Sequence, residues 1–223
     1  HTRLRTVTGV QTCALPICGF LGGIGDGNVF QWQLNTAQPV FKLPREAASV
    51  YGLALSADGK RVFIGLHDYK RSTGKEVVEP GTAPLAIVEY HLAEQREVRR
   101  TTVDASVYQL ASSPSGETIA FGIRGGVSLL NTLNGEIRIL NPVESRLLGV
   151  AFAPDGKSVV ASSADGRLFA WDVESGSLLT EKKGAFHWGS YSTVSGDGRL
   201  MIVSGRPGSV WKLPECVVPR AGK

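Results

Sequence analysis

The chain has 223 residues, of which 42% are hydrophobic and 20% charged, and its formal net charge is +4. This balance excludes an intrinsically disordered chain, because such chains lack the apolar residues needed to form a core. Three cysteines exclude a disulfide-stabilised scaffold, and no apolar run reaches the roughly 18 residues of a membrane-spanning helix. The 27 glycines predict many tight turns and favour an all-β fold.

Residues 7–17 differ in character from the rest of the chain. They read VTGVQTCALPI and resemble the in-frame translation of a short-read sequencing adapter. We therefore interpret residues 1–18 as an artefactual segment and reason about function from the residues that follow. Arg3 and Arg5 lie in this segment, so the remaining chain holds 22 basic and 20 acidic residues and is close to neutral.

The ends of the sequence indicate a fragment of a longer protein. The chain begins at His1, and its single methionine is Met201. We expect residues 19–215 to form the folded part and residues 216–223 to form a C-terminal tail. An N-terminal part of the protein is expected to be missing.

Short apolar runs separated by turn residues predict β-strands along the remaining chain. Helical spacing of apolar residues is nowhere sustained, so no helix is predicted. In chain order, the predicted strands are 28–32, 50–55, 61–65, 97–102, 107–111, 118–122, 127–130, 137–140, 148–152, 158–162, 167–171, 178–181, 200–204 and 209–211.

Two turn signals recur with a common period and divide the chain into repeated units. The first has glycines at positions 59, 116, 156 and 198, which lie 57, 40 and 42 residues apart. The second has glycines at positions 27, 126, 166 and 208, and the last three again lie 40 and 42 residues apart. Glycine suits these turns because hairpins need positive φ angles, which glycine adopts without a steric penalty. Four predicted strands in about forty residues are typical of a propeller blade.

The long first interval contains an insertion at residues 67–84, which is polar and rich in glycine and proline. The insertion joins the second and third strands of its unit. An extended loop of this kind can supply a binding epitope, because loops on a rigid scaffold often carry function. The alternative is a polar loop that the fold merely tolerates.

The residues assigned to the structural repeat belong to the two turns and to the third strands. The turn residues are Gly27, Asp58, Gly59, Gly116, Gly126, Asp155, Gly156, Asp165, Gly166, Asp197, Gly198 and Gly208. The third-strand residues are Trp32, Trp171, Asp172 and Trp211. Because the tryptophans recur at the end of the third strand, we expect them to pack between neighbouring sheets rather than to stack on a ligand.

One unit carries a family resemblance. Residues 152–157, FAPDGK, and residues 163–172, SADGRLFAWD, resemble the first turn and the closing signature of WD-repeat (WD40) β-propellers. The resemblance implies an all-β propeller of four-stranded antiparallel blades, here about four to five blades of a larger ring. It covers nearly all of residues 19–215, and the last blade, residues 185–213, is expected to have three strands.

The repeats also depart from the family pattern. Trp171-Asp172 is the only Trp-Asp pair, and no Gly-His dipeptide occurs in the chain. The buried His–Asp hydrogen-bond network of the family is therefore expected to be mostly absent. Degenerate repeats of this kind imply a bacterial-type member of the family.

No catalytic or metal-binding constellation emerges from the sequence. Nucleophile-elbow, zinc-protease and P-loop motifs are absent, and His67, His91 and His187 stand at different places in their units. Glutamates interleave with the arginines of residues 94–100, so the charges nearly cancel and a nucleic-acid surface is not indicated. We expect no enzyme activity, no cofactor, no metal, and neither nucleic acid nor membrane as a partner.

The leading functional hypothesis is a non-catalytic scaffold for protein–protein interaction, with a protein partner that the sequence does not identify. The cytoplasm is the favoured location. One alternative is a regulatory or sensor propeller of a larger multidomain bacterial protein, such as a Ser/Thr kinase. Another is a lactonase-like propeller hydrolase, against which stand the apolar Val50, Val107 and Leu147 at the starts of the first strands.

Overall fold

A computed structural model describes residues 7–12, 19–24, 28–33, 38–42, 49–67, 71–72, 77–78, 84–184 and 187–213. Within those ranges the regular elements are all β-strands. The chain forms two compact units, His1–Val107 and Tyr108–Lys223.

The first unit contains two four-stranded antiparallel sheets. The first sheet has the order β1 (Val7–Thr12), β2 (Gly19–Ile24), β3 (Val29–Gln33) and β4 (Gln38–Lys42). The second sheet is formed by β5 (Ser49–Leu55), β6 (Arg61–His67), β9 (Ala86–His91) and β10 (Arg96–Thr102), in the order β10-β9-β6-β5. The insertion lies between β6 and β9 and contains the short paired strands β7 (Arg71–Ser72) and β8 (Val77–Val78).

The second unit contains three further antiparallel sheets. The third sheet is β11 (Leu110–Ser112), β12 (Thr118–Ile123), β13 (Gly126–Asn131) and β14 (Ile137–Ile139). The fourth is β15 (Leu147–Phe152), β16 (Ser158–Ser163), β17 (Arg167–Asp172) and β18 (Leu178–Lys183). The fifth consists of three described strands, β19 (His187–Val194), β20 (Leu200–Arg206) and β21 (Ser209–Lys212).

The first sheet contains more strands than predicted. The sequence predicts only a strand at residues 28–32 in this part of the chain, whereas the structure adds β1, β2 and β4. In the added pair of β1 and β2, Val7 lies opposite Ile24 and Thr12 lies opposite Gly19. This pairing describes the conformation of the segment, and its adapter-like origin stays a prediction.

The first strand of the third sheet is shorter than predicted. It begins at Leu110 instead of residue 107, because the residues before it bond elsewhere. The Val107 amide donates to the Leu66 carbonyl at 3.1 Å. The Gln109 side chain reaches two later strands, as described below.

Each unit has an apolar core made by residues that alternate along its strands. In the first unit, Val29 packs with buried residues of the second sheet such as Val62 and Val88. In the second unit, one cluster joins the third and fourth sheets and includes Val159 and the fully buried Trp171. A further cluster joins the fourth and fifth sheets through Val160, Met201 and others. Burial of these side chains is the main favourable contribution to folding.

Small residues in the second strands permit this packing. Gly65, Gly122 and Ser162 all stand six residues after a first-type turn glycine. A Cβ at Gly65 would lie 2.6 Å from Val107 Cγ1, and one at Gly122 would lie 3.0 Å from the Leu147 carbonyl oxygen. At Ser162 the hydroxyl instead forms a buried 2.7 Å hydrogen bond with the hydroxyl of Ser192. A larger side chain at any of these positions would push the following chain segment away.

The Gln109 side chain links the fourth and fifth sheets where β15 and β19 lie side by side. Its carbonyl oxygen accepts hydrogen bonds from the amides of Val150, at 3.1 Å, and Ser192, at 2.9 Å. Its amide nitrogen donates to the Ser192 carbonyl at 2.9 Å. Gly149 lies next to these hydrogen bonds. A Cβ at Gly149 would collide with Ser192 Oγ and would stand 2.6 Å from Ser162 Oγ.

We expect Gly149→Ala to destabilise the protein by about 1–3 kcal/mol, because the added methyl overpacks the contact between β15 and β19. The matched control is Gly196→Ala, since a Cβ at Gly196 meets nothing within 4 Å and its φ lies outside the left-handed region. Denaturant unfolding measures both free energies. Equal losses in the two variants would show that this contact is not a tight one.

Candidate functional site

Two of the four first-type turns carry a serine–aspartate motif that stabilises the turn itself. Ser56 Oγ donates to Asp58 Oδ1 at 2.5 Å, and the Lys60 amide donates to the same oxygen at 3.1 Å. Ser195 and Asp197 repeat the contact at 2.5 Å. The hydroxyl donor, assisted by the backbone amide, lowers the pKa of both carboxyls. The carboxylates are therefore engaged in holding their own turns.

All four first-type turns share the same backbone conformation at their glycine, although the side-chain contacts differ. Gly59, Gly116, Gly156 and Gly198 have φ angles between +69° and +76°. Asp155 accepts from the Lys157 amide at 3.0 Å. In the third sheet Ser115 stands where the other turns carry aspartate, and its hydroxyl lies 3.2 Å from that of Ser113.

The second-type turns are less uniform. Gly126 and Gly166 have positive φ angles of 155° and 82°. Gly208 differs from the expectation, because its φ lies outside the left-handed region. Gly27 falls outside the described residues.

Asp165 fixes the second-type turn of the fourth sheet to the loop that precedes that sheet. Its carboxylate accepts from the Ser163 hydroxyl, from Arg167 Nε at 2.8 Å and from the Ser145 hydroxyl at 3.4 Å. Arg167 in turn donates to the Glu144 carbonyl at 2.8 Å. The hydrogen bond from Arg167 is the main cause of the lowered pKa of Asp165. Serine and arginine donors thus surround this aspartate.

The tryptophans of the third strands occupy different environments. Trp171 is fully buried, its Nε1 donates to the Asn141 carbonyl at 2.9 Å, and its ring stacks on Phe169 at 5.6 Å. Trp211 is half-buried. Trp32 lies in β3 opposite Phe20, and its side chain is outside the described residues. Asp172 ends β17 and accepts two 2.8 Å hydrogen bonds from Ser175.

A surface groove of about 970 Å³ lies beside the Asp165 network. Its lining residues are Arg124, Gly125, Pro142, Val143, Glu144, Ser145 and Arg146, and we call it the Arg124–Arg146 groove. Two backbone hydrogen bonds of 3.0 Å join the two chain segments that line the groove. The Gly125 amide donates to the Ser145 carbonyl, and the Val143 amide donates to the Gly125 carbonyl. The groove therefore has a shape set by the backbone.

Two arginines give this groove its electrostatic character. Arg124 and Arg146 are direct antiparallel partners, and both side chains are exposed. The Arg146 guanidinium carbon lies 4.6 Å from the centre of the Tyr108 ring, within the range of a cation–π contact. The arrangement can bind an anionic group through several N–H donors.

The three histidines considered in the sequence analysis lie in three different strands, β6, β9 and β19. His67 is buried and lies 4.5 Å from the Tyr51 ring, His91 accepts the Glu94 amide at 3.1 Å, and His187 begins β19. Among the described residues, no three His, Cys, Asp or Glu side chains are close enough to share a metal ion. In the same residues no helix of membrane-spanning length and hydropathy is found.

The sequence comparisons point to the family that the turns resemble. Residues 129–172 match the family profile "WD domain, G-beta repeat". The chain is 26% identical over 161 residues to the transcription factor unc-37 of Caenorhabditis elegans. It is 24% identical over 155 residues to WD repeat-containing protein SL1-17 of Schistosoma mansoni, and 24% identical over 160 residues to the protein groucho of Drosophila melanogaster.

These alignments cover 72%, 69% and 71% of this chain but 24%, 46% and 20% of the relatives. The chain therefore spans less than half the length of each relative. All three are animal proteins, so they give no support to the expected bacterial origin.

Solved structures establish the fold class. The β-propeller domain of Cps50 (Swd1) from Myceliophteria thermophila superimposes with a TM-score of 0.74 at 16% identity, covering 96% of this chain and 68% of that domain. The computationally designed Ika8 protein gives a TM-score of 0.68 at 20% identity, covering 93% of this chain and 58% of that protein. The prediction of an all-β, partial propeller of four-stranded antiparallel blades is confirmed.

The amino-acid sequence did not predict the Arg124–Arg146 groove. Its residues come from two connections that carry no periodic apolar pattern, and the two arginines are separated by a whole hairpin in the sequence. The available signal was an arginine next to the Gly125-Gly126 turn. Nothing in the sequence indicated that Arg146 would stand opposite it.

We expect Asp165→Asn to lower stability near neutral pH and to lose this effect in acid. The folded-state pKa of Asp165 lies below its ordinary value of 3.8, so the ionised carboxylate stabilises the fold above that value. This contribution disappears as pH falls through the lowered folded-state pKa. Urea midpoints of wild type and variant should converge between about pH 5 and about pH 2.

The control for this titration is Asp104→Asn, since Asp104 is exposed and no hydrogen bond to its carboxylate occurs among the described residues. Its midpoint should stay close to that of the wild type at every pH. A pH-independent difference for Asp165→Asn would contradict the role given to the ionised carboxylate.

Proposed function

We propose that this chain is a non-catalytic propeller module that binds another protein through the loops at the ends of its strands. The observation that carries the proposal is the Arg124–Arg146 groove, which is open, charged and built from connections that the backbone holds in place. Loops fixed on a rigid sheet scaffold are where binding residues concentrate. The module corresponds to residues 19–215, with protein as its partner and neither nucleic acid nor membrane.

The comparisons support this proposal without identifying the partner. One relative is a transcription factor and another a WD repeat-containing protein, and neither description is that of an enzyme. The positions at or just before the starts of the first strands, where a propeller hydrolase would need acids, carry Val50, Val107 and Leu147, all 2% exposed or less. Buried apolar side chains at these positions offer neither a general base nor a metal ligand.

A second candidate is a regulatory module within a longer protein. The alignments cover 24%, 46% and 20% of the relatives, so each relative carries the similar segment within a larger chain. Both candidates use the same binding surface, but only a regulatory module would change the activity of the protein that carries it. The two candidates are distinguished by measuring the activity of the flanking gene product with and without this module.

Selection from a random phage-displayed peptide library against the immobilised full chain tests the proposed function. We expect enriched peptides that bind the chain in solution with dissociation constants from about 1 µM to about 1 mM, the range of about −8 to −4 kcal/mol. Hydrogen–deuterium exchange should map the protected amides to strand-end loops. Enrichment of no saturably binding peptide, or turnover of lactones by the same preparation, would contradict a non-catalytic binding module.

A further inference from the structure

We infer that the Arg124–Arg146 groove binds an acidic segment of the protein partner, through the side-chain carboxylates of aspartate or glutamate. This inference rests on the proposed function and specifies the chemistry of the segment that the groove accepts. It follows from the state of the two arginines, from the fixed shape of the groove and from the single acidic residue in its lining.

The two groove arginines differ from other arginines of the chain in what they contact. Four other arginines already have carboxylate partners within 3 Å: Arg61 with Glu89, Arg96 with Glu94, Arg100 with Glu97, and Arg167 with both Asp165 and Glu181. Arg138 donates to the backbone carbonyls of Val173 and Glu174. Within the described part of the chain, neither Arg124 nor Arg146 has a carboxylate within 4 Å. Their charge is available to a ligand.

The position of these two arginines is unfavourable without an anion. Residues that face each other across an antiparallel pair project to the same side of the sheet, and like charges in that arrangement repel. The Tyr108 ring stabilises the Arg146 guanidinium by a cation–π contact, while no such contact to Arg124 occurs among the residues that the structure describes. A carboxylate placed between the two guanidinium groups would remove the repulsion and gain charge-assisted hydrogen bonds.

The groove is prepared for a ligand before the ligand arrives. Its loop is tied to the Gly125 turn by two backbone hydrogen bonds of 3.0 Å. The same loop is held from its other side by Arg167, which donates to the Glu144 carbonyl at 2.8 Å. Binding to a fixed loop costs less conformational entropy than binding to a loop that must first become ordered.

The Glu144 side chain decides which kind of anion the groove accepts. It is exposed and belongs to the lining, so the lining carries two positive charges and one negative charge. A continuous row of phosphates would meet this carboxylate and be repelled. A peptide can place one or two carboxylates at the arginines and a neutral or basic residue at Glu144. The charge pattern therefore favours an acidic peptide over nucleic acid.

A peptide-binding experiment tests this inference. The probe is a fluorescein-labelled capped peptide of twelve residues with two adjacent glutamates at its centre among glycines and serines, and the reference peptide carries glutamines instead. Anisotropy titrations with the full chain at low ionic strength should show at least about fivefold tighter binding of the glutamate peptide. The preference should shrink at high salt, because exposed charges are screened there.

Three variants separate a specific site from general attraction. R124Q/R146Q should bind both peptides equally, and R124K/R146K should keep part of the preference, because lysine retains charge but loses the bidentate geometry. Arg199→Gln is the matched control, since Arg199 is exposed in the same unit and lies outside the groove lining; it should keep the full preference. Thermal unfolding checks that each variant folds.

Several outcomes would overturn the inference. The first is that the wild type binds the glutamate peptide no more tightly than the glutamine peptide. The second is that R124Q/R146Q and Arg199→Gln lose this preference to the same extent. The third is that the chain binds a phosphoserine peptide but not the glutamate peptide. If the displayed library yields neutral peptides that protect amides elsewhere, the acidic-segment inference fails while the proposed function stands. If neither the library nor the glutamate peptide binds, both fail.

Discussion

The fold depends on how closely one β-sheet can approach the chain segment that follows it. In both units this approach passes over a small residue in a second strand, Gly65 in the first unit and Gly122 and Ser162 in the second. Without a bulky side chain there, the apolar clusters that join neighbouring sheets can reach van der Waals contact. Since dispersion attraction fades over fractions of an ångström, this clearance determines whether the cores are dense.

The same packing places polar groups where they must be satisfied. Gln109 enters the contact between β15 and β19 and gives both of its amide atoms to backbone partners. The buried hydroxyls of Ser162 and Ser192 pair with each other. A buried polar group without a partner destabilises a fold, so these residues make the approach of the sheets specific as well as close.

The groove is a consequence of this framework. Once the third and fourth sheets are held together, the turn after β12 and the loop before β15 meet at one end of their strands. Backbone hydrogen bonds join Gly125 to Val143 and Ser145, and the Asp165–Arg167 pair fixes the loop from its other side. The backbone positions of Arg124 and Arg146 are thereby fixed, so the two charged residues stand opposite each other.

The amino-acid sequence by itself determined the hairpins and their period. Turn glycines such as Gly59 and Gly156 need positive φ, a requirement of a few neighbouring residues that can be recognised locally. The alternation of apolar residues between the turns likewise depends on the local geometry of a strand. Together they were enough to predict four-stranded antiparallel sheets.

Tertiary structure alone decided which distant residues meet. The pairing of Arg124 with Arg146, the reach of Gln109 to Ser192 and the clearance at Gly149 all join positions separated by whole strands. No local pattern encodes such contacts, because they depend on how the sheets pack after the hairpins have formed. The repeat could therefore be predicted from the amino-acid sequence, whereas the groove could be identified only in the folded protein.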